Sequence, residues 1–150
     1  MQGMRTLLGA VALLLFSCGP DPRLAFVGSY SGTTEATIDG RKDEPFSITI
    51  DTTAPEKQKY ITLKLQCVVK AELTDEDSFV LDGTVCPSRR SESRAGVAAT
   101  YTDTITAGSG SLRGDTLTLL HYVVQLGEDY ADGSPNVSFK FRFDTTATKR

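Results

Sequence analysis

Val137-Ser138-Phe139-Lys140-Phe141-Arg142-Phe143-Asp144 sets a valine and three phenylalanines on alternate positions, with polar or charged residues between them. Side chains of an extended strand point to opposite faces with a period of two, so this stretch has one apolar and one polar face. A helix would scatter the same residues around its circumference. Three phenylalanines on one face predict a core strand, and the wet opposite face predicts an antiparallel sheet. The six residues that follow, 145–150, read as a fraying end.

The same grammar extends back to Leu24. Residues 25–37 form a first β-rich run, closed by Ile38-Asp39-Gly40-Arg41, whose Asp-Gly pair suits a turn needing positive φ. Phe46, Ile48 and Ile50 alternate with Ser47, Thr49 and Asp51 before Ala54-Pro55-Glu56-Lys57 breaks the pattern. Ile61, Leu63, Leu65, Cys67, Val69 and Ala71 share one phase, which predicts a single strand over 61–71. After a turn at Thr74-Asp75-Glu76-Asp77, the alternation resumes at Phe79, Leu81 and Val85 towards Cys86. Residues 87–98 lack periodicity and read as a loop. Residues 101–112 and 115–126 predict a long hairpin with Arg113-Gly114-Asp115 at its tip and Gly108 and Gly110 bending its first arm. In the second arm Leu117 and Leu119 take one phase, and Leu120, Tyr122, Val124 and Leu126 the other. This requires either a bulge near Leu120 or burial on both faces. No convincing helix emerges, and the expected fold is a single all-β domain over 24–150. It is an antiparallel meander of about 7–8 strands, arranged as a barrel or a sandwich.

The N-terminus decides the compartment. Arg5 is the only charge before the apolar run Leu7-Leu8-Gly9-Ala10-Val11-Ala12-Leu13-Leu14-Leu15-Phe16, which has the length of a secretory signal core and is too short to span a bilayer. Leu15-Phe16-Ser17-Cys18 resembles the lipobox of bacterial lipoproteins. The resemblance implies a signal peptide over 1–17, acylation of Cys18 by palmitate-type chains and a lipid-anchored tether over 18–23. Gly19, where that family's inner-membrane retention signal carries aspartate, leans the expectation towards the outer membrane or cell surface. The alternative is an ordinary signal cleaved after Gly19, since Ser17 and Gly19 satisfy the small-x-small rule. Pro20-Asp21-Pro22-Arg23 reads as an extended spacer.

Removing seventeen residues leaves 133, enough for one core. The full chain has a net charge of −3, which becomes −4 without Arg5, and an acidic surface disfavours nucleic acid. Cys67 and Cys86 remain as an even pair in an exported chain and are expected to form a disulfide across the turn near Glu76 and Asp77. No metal or cofactor is expected, because His121 is the only histidine. It is also the only ordinary general base, and no Gly-x-Ser-x-Gly elbow accompanies it, so the chain is expected not to be an enzyme. The acidic sets Asp75-Glu76-Asp77 and Glu128-Asp129 with Asp132 lack calcium-loop spacing. Arg113-Gly114-Asp115 has the letters of the integrin tripeptide, but Gly-Asp is what a hairpin turn needs. Asn136-Val137-Ser138 matches the glycan acceptor pattern, which a bacterial export route does not read.

Phe26-Val27-Gly28-Ser29-Tyr30 is similar to the opening of lipocalin-like barrels, whose first strand carries Gly-x-Trp. Here Tyr30 takes the tryptophan's place, and Arg142 is its candidate partner near the other end of the chain. Two function classes follow. The first is a non-catalytic, membrane-anchored envelope lipoprotein acting as a structural or interaction module for another envelope component. The alternative is a lipocalin-like carrier of a small apolar ligand. Phe46, Ile48, Ile61, Leu63, Leu65, Phe139, Phe141 and Phe143 are large enough to fill an eight-stranded interior, which favours the first class.

Overall fold

The structure is a computed structural model that describes residues 19–93 and 95–150. Its strands are β1 (Gly28–Ile38), β2 (Arg41–Lys42), β3 (Phe46–Thr53), β4 (Tyr60–Lys64), β5 (Val68–Asp75), β6 (Ser78–Leu81), β7 (Thr84–Val85), β8 (Arg89–Glu92), β9 (Ala98–Arg113), β10 (Thr116–Glu128) and β11 (Val137–Lys149). Every pairing is antiparallel. Eight strands close a ring in the order β1-β3-β4-β5-β6-β9-β10-β11 and back to β1, while β2 pairs β1, and β7 and β8 extend the edge of β6 along β9. The all-β meander expected from the alternation is thus the observed fold, in its ring-closed form.

The two ends of the ring differ. At one end Phe26, Tyr30, Phe79, Leu112, Leu117 and Ala147 are buried, and Phe26 meets Phe79 edge to face at 5.6 Å. The chain enters here through a 3₁₀ turn, Pro22–Ala25, capped by Asp21. The extended spacer expected over 20–23 is therefore corrected. Arg23 donates to the carbonyls of Pro55 and Tyr60 at 3.0 and 3.1 Å and pairs with Asp21 at 2.6 Å, so the chain is docked from Asp21 onward. Hydrogen bonds from Arg23 hold the Asp21 carboxyl below its ordinary pKa.

Residues 61–71 are not one strand. The chain reverses between β4 and β5, with Lys64 opposite Val68 and only Leu65, Gln66 and Cys67 between them. A loop of three residues is odd in length, so the inward phase of Ile61 and Leu63 continues in Val69 and Ala71, and the period-two pattern runs through the turn unbroken. Nothing in its composition signals a turn.

The C-terminal residues do not fray. β11 continues to Lys149 because it has a partner on both sides, β10 and β1, and Ala147 is buried between them. At the crossing with β1 a Cβ on Gly32 would run into the Thr146 carbonyl oxygen and the Ala147 backbone, so only glycine allows the two strands to approach this closely. Residues 87–98 contain β8, paired to β9 across residues 98–101. The two-phase arm of the long hairpin is resolved by a bulge on the opposite strand. Tyr122 pairs Ala107 and Val123 pairs Ile105, so Thr106 is the extra residue, and β10 keeps one phase throughout. Leu117, Leu119, His121 and Val123 point in, whereas Tyr122 and Leu126 are left 41% and 37% exposed outside.

Candidate functional site

The other end of the ring is only partly filled. Ile61 and Leu63 are fully buried, but Ile48, Leu65, Phe139, Phe141 and Phe143 are half-buried and Phe46 is 47% exposed. Filling of the whole interior by these large residues is accordingly corrected. Fewer strands reach this end, since β3 and β4 pair only through residues 51–53 and 62–64. A cleft of about 480 Å³ opens there, with Ile38, Arg89, Tyr101, Gln125, Phe139 and Phe141 on its walls.

Its floor carries a polar cluster. The Asp103 side chain is 4% exposed; it accepts from Arg89 Nη1 at 2.7 Å and Gln125 Nε2 at 2.8 Å. Asp103 and Gln125 face each other across β9 and β10, and Arg89 reaches them from β8. A buried carboxylate without such donors would cost several kcal/mol, on the order of 3 to 5, so the cluster is internally satisfied and fixes β8 against the ring. None of the three was singled out from the sequence. The available signal was Asp103 sharing the inward phase of Tyr101 and Ile105, a charge where an apolar residue belongs.

From the cleft an aromatic stack leads inward. Phe141 lies parallel to Phe143 at 5.7 Å, and Phe143 is stacked on His121 at 4.9 Å. His121 is 2% exposed, neither ring nitrogen has a hydrogen-bond partner, and burial pushes its pKa down to about 4. It faces Gly108, where a Cβ would fall 2.9 Å from its own Cβ and 2.6 Å from Leu81 Cδ1. At neutral pH the imidazole is therefore uncharged.

The other expected site residues fall apart from the cleft. Cys67 and Cys86 form the expected disulfide, with Cα atoms 5.6 Å apart, joining the tip of the β4–β5 hairpin to the end of β7. Such a bond persists in an oxidising, exported environment. Cys18 lies outside the described residues. Tyr30 is fully buried and donates to the Phe26 carbonyl at 2.8 Å, and its cationic neighbour is Lys149, whose Nζ lies 5.8 Å from the ring and donates to the Ala25 carbonyl. Arg142 instead pairs with Asp144 on the outer face, which corrects its expected role. Arg113-Gly114-Asp115 is the β9–β10 turn, with Gly114 at φ 59°, at the closed end. Asn136 donates to Glu128 at 3.4 Å. Among the described residues no group of three or more His, Cys, Asp or Glu could hold a metal ion, and no helix is long and apolar enough to cross a membrane. No family model, curated protein or solved structure matches this chain.

Proposed function

We propose that the protein is a non-catalytic envelope lipoprotein, exported and held through acylated Cys18 to a bacterial membrane, the outer membrane or cell surface by preference, and that it serves as an interaction module. The observation that carries this reading is the polarity of the barrel. Asp21, Arg23 and Phe26 fasten the incoming chain to the closed end, and the aromatic cleft lies at the opposite end. An anchor at Cys18 then keeps the closed end at the bilayer and turns the open end outward, where another envelope component can reach it. Several acyl chains at about 0.8 kcal/mol per buried methylene make the attachment effectively permanent.

Mass spectrometry of the mature N-terminus tests it. A diacylated or triacylated Cys18 is the expected first residue, whereas an unmodified terminus at Pro20 contradicts the anchor. A second reading, a lipocalin-like carrier of a small apolar ligand, is favoured by the incomplete burial of Phe139, Phe141 and Phe143 around the cleft. Native mass spectrometry of protein purified from its own host separates the two. A stoichiometric small molecule retained through purification supports the carrier, and an empty protein supports the interaction module.

A further inference from the structure

We infer that the open edge of β3 is a receptor for an extended segment of a partner polypeptide, which pairs with residues 46–50 as an additional strand. This rests on the reading of the chain as an anchored interaction module and names the kind of partner.

The edge follows from the strand registers. Residues 46–52 of β3 pair with β1 on one side, but on the other side β4 engages only residues 51–53. Among the described residues no backbone hydrogen bond reaches residues 46–50 from that side. In an antiparallel ladder alternate residues turn both N–H and C=O to the same edge, so this stretch offers donors and acceptors at strand spacing. The β4–β5 hairpin is the natural neighbour that would cover them. It stops short because the chain turns at Leu65, Gln66 and Cys67, and the Cys67–Cys86 disulfide ties that tip to the β7 side.

Natural sheets blunt such edges with charge, proline or a bulge, because a bare edge recruits other chains. Phe46-Ser47-Ile48-Thr49-Ile50 has none of these within it. Its alternation specifies the incoming strand. Phe46, Ile48 and Ile50 lie on the inner phase and Ser47 and Thr49 on the outer, so the partner must alternate in the same way, apolar towards the half-buried Ile48 and polar towards solvent.

A second copy of the chain does not meet these conditions. A regular antiparallel ladder between two β3 edges needs a two-fold axis across the strand, and β3 runs from the open end to the closed end. That axis would turn one copy's anchor away from the membrane holding the other.

The test is residue-resolved amide hydrogen exchange on the mature protein in detergent micelles. The probe is a synthetic peptide alternating valine and threonine, with a lysine at each end. In the free protein, alternate amides of residues 46–50 are expected to exchange rapidly. Saturating peptide should slow them by at least about tenfold, and N-methylation of the peptide's pairing amides should abolish the effect. Ile48→Lys, which points a charge inward at the edge, should weaken peptide binding, while Thr49→Lys on the outer phase should leave it within about twofold. Amides of residues 46–50 that ignore the peptide, or protection confined to the cleft around Phe139 and Tyr101, would overturn the inference. So would protection in the free protein that grows with concentration, which identifies self-pairing. Because the probe is a defined peptide, an unacylated Cys18 would remove the anchored reading and leave the peptide result readable.

Discussion

His121 shows how one buried side chain sets a pH dependence. Its pKa is about 4 in the folded protein, against about 6.5 for an unperturbed histidine. Between those values the unfolded chain binds a proton that the folded one does not, so stability rises with pH. The contribution is fully present above about pH 6.5, falls as pH drops towards 4, and amounts to roughly 3 kcal/mol at most. Denaturant unfolding across pH 4 to 7 should show this slope, and His121→Phe should flatten it; an unchanged slope in the variant assigns it to other groups. Asp103 makes a different demand, because its carboxylate is buried and Arg89 is half-exposed. Arg89→Met should cost about 1–3 kcal/mol by leaving that charge with Gln125 alone. Adding Asp103→Asn should recover part of the loss, and simple additivity of the two changes would refute the pairing.

At the level of elements, the alternation in the sequence reported faces faithfully and connections poorly. Phe139, Phe141 and Phe143 do share the inner phase of β11, and Cys67 and Cys86 do meet across the turn near Glu76. The β4–β5 reversal was invisible because its odd loop preserves the phase and contains no glycine or proline. The continuation of β11 through Thr145 and Ala147 was invisible because partners on both sides are a property of the closed ring, which no local window contains. The depth of His121 was hidden for the same reason, whereas Asp103 carried a local signal, a charge on the inward phase of Tyr101 and Ile105. Two substitutions probe these elements. Replacing both Cys67 and Cys86 by serine frees the β4–β5 tip and removes a crosslink of sequence separation 19. The chain-entropy model gives about 3 kcal/mol for it, a fall of roughly 10 °C in Tm. Gly32→Ala should cost about 3 kcal/mol, because the β1–β11 backbones must separate. A Tm within a degree of the parent in either variant would contradict the packing described.

For the whole molecule, the docking of the incoming chain and the open end are two aspects of one asymmetry. The 3₁₀ turn and Phe26 plug the ring where β1 begins, and the shortened β3–β4 pairing leaves its far end splayed. Sequence periodicity showed a domain with a core; it did not show that packing is tight at one end of the ring and incomplete around Phe46, Phe139 and Phe141 at the other. The most direct measurement is paramagnetic relaxation by spin-labelled lipid headgroups, read on the backbone amides of the protein in nanodiscs that hold it through the proposed Cys18 anchor. Strong broadening is expected at the closed end, at Ser29, Gly114 and Asp115, and little at Asp132 and Gly133 beside the open end. Equal broadening at both ends, or stronger broadening at Asp132 and Gly133, would contradict that orientation.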